Sequence, residues 1–171
     1  MIKDSGERRQ FYDADGKPMG VRDIQEGKGR CDLLPLNVVS NLTNNHVLRY
    51  IGAFQFHNDI LYLELALKVF VMNYTNWCTD GKYSSTGIAN MLLEVSKHFE
   101  EGCKKYGENN WQKGIPTHCY IDSAVRHYLK WLRGDRDEPH DRAFCWNIIC
   151  CIWTCSNKPE LNDYRKDKEN D

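Results

Sequence analysis

The run PHDRAFCWNIICCIWT, residues 139–154, constrains this chain more than any other stretch. Pro139 sits where a first helical turn tolerates a missing amide proton, and from there to Thr154 the residues are apolar nearly all round a helix. Such a helix has no broad face to give to water, so it must be central, with other helices packed about it. The sequence supplies candidates. Ile60 to Tyr74 repeats Ile60, Leu63, Leu67 and Phe70 at helical spacing, with Glu64 and Lys68 as an outward i,i+4 pair. Ser84, Ser85 or Thr86 can cap a helix from Ile88 to Lys105 whose apolar stripe is Ile88, Met91, Leu92, Val95 and Phe99. Thr117 can cap another, reaching Leu132, with Ile121, Ala124, Val125, Tyr128 and Leu132 inward and Asp122, Arg126, Lys130 and Arg133 on a polar side. A mixed apolar pattern over residues 37–56 suggests a further helix, with Val38, Leu42, His46, Leu48 and Ile51 inward.

No run with strand alternation stands out, so the expected fold is all-α, a single-domain bundle of four to five helices. Residues 1–20, through DADGKP, read as a loose polar arm, and 21–36 as an ordered loop. The domain then spans 21–155, and the charge-rich stretch 156–171 reads as a mobile tail. A net charge of −1 gives no footing for a nucleic-acid polymer, whose phosphates demand an excess of Lys and Arg. The eight cysteines are scattered without a CxxC pair, which offers no support for a structural zinc site. With no apolar secretion segment at the N-terminus, the expectation is a cytoplasmic protein with mostly buried thiols and no membrane partner.

The chemistry-bearing residues gather around EEGCKKYGENNWQKG, residues 100–114. At about 100° per residue Glu94, His98 and Glu101 share a sector of one helix, while Glu100 points elsewhere. Asp135, Asp137, Glu138 and Asp141 crowd the start of the last helix. Carboxylates on facing helices are how bundles hold divalent cations, and Mg²⁺ is usually shared with substrate phosphates. The same acids can instead complement helix dipoles or form a solvated face. Lys28 and Arg30 in a glycine loop, Lys104 and Lys105 at a helix end, and Arg126, Lys130 and Arg133 on another helix add the cations that phosphoryl chemistry needs. The spacing of a P-loop is absent. Tyr106 and Trp111 can stack on a base or pin a corner of the core. Asn147 lies inside the apolar helix, so its amide must meet either a ligand or a backbone carbonyl. His127, between apolar and polar faces, reads as a structural histidine.

Four stretches carry a family resemblance: Lys28, Arg30 and Asp32 to Pro35 in the loop, EEGCKKYGENNWQKGIP (100–116), DSAVRHYLKWLRG (122–134) and DEPHDRAFCWN (137–147). They resemble the domain described as dATP/dGTP diphosphohydrolase, N-terminal, found in phages, prophages and gut bacteria. The resemblance covers residues 21–36 and 91–154, and 37–90 looks like a branch-specific insertion. Its name points to the all-α NTP pyrophosphatases (MazG-like), which bind Mg²⁺ through EExxE on one helix and ExxD on a later one. Glu100 and Glu101 match the first pair, Lys104 stands where the third acid belongs, and Glu138 with Asp141 fits ExxD.

The resemblance thus implies Mg²⁺-dependent hydrolysis of dATP or dGTP to the monophosphate and pyrophosphate. Glu94, Glu101, Glu138 and Asp141 would hold Mg²⁺, with His98 available to the chemistry. Lys28, Arg30, Lys105 and Arg126 would bind phosphate, and Trp111 and Asn147 the nucleotide. Two alternatives stand beside it: a phage protein that sequesters a nucleotide intact, favoured by Lys104, and an HD-type phosphohydrolase built on His140 and Asp141. All-α pyrophosphatases commonly work as homo-oligomers, and the apolar last helix would suit an interface.

Overall fold

The computed structural model describes residues 7–23, 27–78 and 84–164. It begins with an antiparallel hairpin, β1 (Arg8–Tyr12) and β2 (Pro18–Asp23), with Arg8 opposite Asp23 and Gln10 opposite Val21. Six helices follow among the described residues: α1 (Leu36–Thr43), α2 (His46–His57), α3 (Leu61–Tyr74), α4 (Ser85–Tyr106), α5 (Thr117–Arg133) and α6 (His140–Asn157). The architecture is helical with one small sheet. None of these helices is long and apolar enough to cross a membrane.

From Arg8 onward the hairpin corrects the expected loose arm, of which residues 1–6 lie outside the described residues. The Asp13 carboxylate accepts hydrogen bonds from the amides of Asp15 and Lys17, and Gly16 adopts φ +77°, so DADGK closes a tight turn. β2 then docks on the corner after α4. The Gly20 amide donates to Gly114 O at 2.9 Å, and Asn110 pairs with both backbone groups of Val21. A Cβ on Gly20 would lie 2.8 Å from that carbonyl oxygen, so only glycine permits this approach.

The helix expected over 37–56 is two helices. Asn44 turns left-handed at φ 47°, and the Asn45 side chain accepts from the Leu48 amide to cap α2. The break redirects the first segment, so Val38 and Leu42 face solvent while Leu48 and Ile51 are buried. Residues of the 37–90 segment are integral to the core: Phe70 of α3 meets Tyr128, Trp131 and Phe144 with ring centroids 4.6–5.8 Å apart.

α6 is central, packing on α3, α4 and α5, with α5 its most extensive partner. Phe144, Cys145, Ile148, Cys150 and Cys151 are completely buried. Ile149, Ile152 and Trp153 are half-buried, so most of its apolar surface is covered within the chain. The start of the expected tail is also anchored. Thr117 is the first residue of α5, not its cap, and Asp163 replaces a local cap by accepting hydrogen bonds from Thr117 Oγ1 and the His118 amide. Tyr164 adds an edge-on ring contact with Phe54 at 5.5 Å. Residues 165–171 of that tail lie outside the described residues.

Candidate functional site

A cavity of about 910 Å³ opens between β2, the C-terminal half of α4, the corner after it, one face of α5 and the start of α6. Helical periodicity builds the α5 wall. Ser123, Arg126, His127, Lys130 and Arg133 recur at i, i+3, i+4, i+7 and i+10 and face the cavity, while Ile121, Ala124, Val125 and Tyr128 face the core. Six cationic side chains line the space, Arg22, Lys28, Lys105, Arg126, Lys130 and Arg133, against the four carboxylates Asp23, Glu101, Asp137 and Glu138.

The cations are positioned by specific partners. Asp122, nearly buried, accepts from the Cys31 amide at 2.6 Å and from Arg126. Arg126 also donates to Gly29 O at 2.7 Å and to Lys28 O at 3.4 Å, which fastens the 27–31 loop to α5 and sets Lys28 in the wall. Lys130 bonds Asp137 at 3.1 Å, and Lys105 bonds Asp23 at 2.7 Å. Arg22 of the hairpin donates to Cys119 O and to Asn147 Oδ1, at 2.8 and 2.9 Å.

The opposite wall is aromatic. Trp146 meets His98 at 5.2 Å and Phe99 at 5.8 Å between ring centroids, and Phe99 meets Trp111 at 5.3 Å. Trp111 also packs on Trp153 at 5.0 Å, so it both pins the corner and lines the cavity. Burial, then the nearby Arg142, lowers the His98 pKa to about 4, keeping the ring neutral at pH 7. Its Nδ1 and the Trp146 Nε1 are buried without a hydrogen-bond partner among the described residues. Asn147 settles both halves of its expected ambiguity: Nδ2 donates to Ala143 O at 2.8 Å, and Oδ1 receives Arg22.

At the junction of α5 and α6, His127 Nδ1 lies 3.0 Å from His140 Nδ1. The Glu138 carboxylate is 3.6 Å from the first and 3.5 Å from the second. His140 Nε2 bonds Asp137 at 2.7 Å, and that bond, with Lys130, lowers the Asp137 pKa to about 2. Burial, then the neighbouring His140, pushes His127 well below the ordinary histidine range.

The expected Mg²⁺ ligands do not converge. Glu94 is paired with Lys97 on the outside of α4 and does not line the cavity. Asp141 accepts from the Arg142 amide at the first turn of α6. Glu101 reaches the cavity but its carboxylate is taken by Arg142, an ion pair between α4 and α6 where a shared cation was expected. Only Glu138 of the four belongs to a three-ligand grouping among the described residues. A carboxylate cage for Mg²⁺ therefore does not fit these positions. The HD reading meets the same obstacle, because Asp141 is not in the grouping that His140 joins. Arg30 is likewise corrected: it clasps Asp32 through two bonds of 2.7 and 2.5 Å and stays outside the cavity. Lys28, His98, Glu101, Lys105, Trp111, Arg126, Glu138 and Asn147 are brought together.

Arg22 and His127 were missed as site residues. The signal for Arg22 was an Asp-Gly turn between two short runs, and for His127 its place on the cationic stripe of α5.

The family model described as dATP/dGTP diphosphohydrolase, N-terminal, matches residues 79–164, half of the chain. The match takes in α4, α5 and α6, while the hairpin and α1 to α3 lie outside it. No curated protein and no solved structure matches the chain.

Proposed function

Since the chain belongs to the dATP/dGTP diphosphohydrolase N-terminal domain family, we propose that its cavity binds a purine deoxynucleoside triphosphate and that the protein cleaves it to the monophosphate and pyrophosphate. The observation that carries this reading is the two-walled cavity, cationic on the α5 side and aromatic on the α4 side. Its volume falls in the range of small-molecule sites, roughly 300–1,000 Å³. Lys28, Arg126, Lys130 and Arg133 offer the charge that a triphosphate requires, and phosphoryl transfer depends mainly on such positioning and neutralisation. Release of Lys130 from Asp137 would exchange one charge-assisted bond for another.

The aromatic wall suits a base. Trp146 and His98 line the cavity, and their unpartnered nitrogens cost about 1–3 kcal/mol each until a ligand's polar groups reach them. Water attacks the α-phosphorus, the α–β bridging bond breaks, and pyrophosphate leaves. Mg²⁺ enters this reading as the companion of the triphosphate, and no step is assigned to it.

One observation favours the second reading, a protein that holds its nucleotide intact. Two of the acids expected to share a metal, Glu94 and Glu101, are paired with Lys97 and Arg142, and Lys104, where the enzyme pattern has an acid, bonds Glu100 at 2.5 Å. Titration of tryptophan fluorescence tests the shared binding step. Quenching by dGTP and dATP, relieved by added pyrophosphate, is the expected result; quenching indifferent to both base and pyrophosphate would count against a nucleotide in this cavity. As further proposals, the protein acts in the cytoplasm on free nucleotides and as a homo-oligomer, with no nucleic-acid polymer as partner.

A further inference from the structure

We infer that His127, His140 and Glu138 form a binding site for a transition-metal ion of the Zn²⁺ type at the α5–α6 end of the cavity. The three ligand atoms stand at the corners of a triangle with sides of 3.0, 3.5 and 3.6 Å. Corners so spaced are each about 2 Å from a common centre, which is the bond length of Zn²⁺ to imidazole nitrogen and carboxylate oxygen.

A proton does not explain the arrangement as well. His140 Nε2 bonds the Asp137 carboxylate, so in the neutral ring that nitrogen carries the hydrogen and Nδ1 is left with a lone pair. A hydrogen on His127 Nδ1 could serve the contact between the two rings. It would leave Glu138 Oε1 at 3.5–3.6 Å from both nitrogens, outside good hydrogen-bonding distance. A cation at the centre engages all three at once.

The surroundings have the form of a built metal site. Asp137 behind His140 makes the carboxylate–histidine–metal relay that fixes a ligand's tautomer and orientation. The His140 side chain is 1% exposed and held by the packed start of α6. His127 and Glu138 line the cavity, so a fourth coordination position opens into it beside Lys130, the pattern of catalytic rather than structural zinc. Two imidazoles select against Mg²⁺, which takes oxygen ligands. The other grouping among the described residues, Asp135, Asp137 and His140, shares the same histidine, but Asp135 is already clasped by Arg133 at 2.8 Å. The use of the open position, for water or a phosphate oxygen, rests on the nucleotide reading; the site itself rests on geometry alone.

The test uses the full chain stripped with a chelator and contains no nucleotide, so it succeeds or fails independently of the substrate. Zn²⁺ binding is followed by calorimetry and by elemental analysis after gel filtration, and Co²⁺ serves as the spectroscopic probe. The inference predicts one ion per chain, visible Co²⁺ bands of low coordination number without thiolate charge-transfer absorption, and affinity about tenfold or more weaker in His127→Gln and in Glu138→Gln. Glu94→Gln and Glu101→Gln should bind as the parent does. Circular dichroism confirms that each variant is folded, and the cavity-lining His127 and Glu138 are chosen because the buried His140 is more exposed to folding failure. Equal Zn²⁺ affinity in the parent and in folded His127→Gln and Glu138→Gln, or intense thiolate bands, would overturn it.

Discussion

His127 and His140 face each other through their Nδ1 atoms at 3.0 Å, and Asp137 holds the far side of His140 at 2.7 Å. The chain Asp137–His140–His127 thus crosses from the loop before α6, through a buried ring, to the α5 wall of the cavity. Removing its middle member leaves a void and takes one of two partners from the Asp137 carboxylate, which keeps Lys130. His140→Ala should lower the unfolding free energy by about 2–4 kcal/mol, whereas His127→Gln, at the cavity surface, should cost under about 1 kcal/mol. Urea denaturation of the two variants checks the contrast.

Charge on the α5 wall separates binding residues from structural ones. Lys130→Ala and Arg133→Ala should each weaken dGTP binding by about tenfold, with the loss larger at low salt, and leave the fold intact. Glu94→Gln, at a surface pair with Lys97, should change neither affinity nor stability beyond about 0.5 kcal/mol. Calorimetric titration at two salt concentrations distinguishes these outcomes.

Arg126 has two duties, and its removal should show the structural one first. Asp122 is 4% exposed and would lose its cationic partner, so Arg126→Ala should cost about 3–5 kcal/mol, measured as a lowered denaturation midpoint. The 27–31 loop, fastened through Gly29 O, should then exchange its amide hydrogens faster.

Asp163 ties the last described segment to the start of α5. Its bond, then that of Cys119, raises the His118 pKa to about 10. A histidine whose folded pKa lies above its unfolded value adds stability that is fully present below about 6.5 and is lost as pH rises through the folded value. The parent should therefore lose stability relative to Asp163→Asn between pH 6.5 and 10, with the gap at pH 6 about 1 kcal/mol after allowance for solvent screening. Thermal midpoints of both proteins across that range provide the check; a gap that is constant or widens with rising pH would contradict the assignment.

The helices were legible because their signals are local and repeated. The apolar surround of α6 demanded a central place, and the stripes of α4 and α5 marked most of the core-facing side, although Leu92 and Leu132, expected inward, are about half exposed because each lies at the edge of its stripe. What escaped depended on residues far apart in the chain. Arg22 meets Asn147 across 125 positions, and Asp163 caps a helix that starts 46 positions earlier; neither relation leaves a periodic trace. The short strands flanking DADGK carry too few residues for alternation to show, although the Asp-Gly turn was visible. The acids misled for a physical reason. Side-chain spacing on one helix says which carboxylates share a sector, but not that Arg142 from α6 will reach across to Glu101 before another carboxylate does.

Hydrolysis is tested most directly by product analysis of the purified chain incubated with the four dNTPs and their ribonucleotide counterparts, in Mg²⁺ with and without Zn²⁺. Nucleotides and phosphates are resolved by anion exchange. Hydrolysis in this cavity yields dAMP or dGMP and pyrophosphate in equal amounts, with purine deoxynucleotides consumed first and the products reduced in Lys130→Ala. Recovery of the bound nucleotide intact under every condition would contradict hydrolysis and leave the sequestering protein in its place.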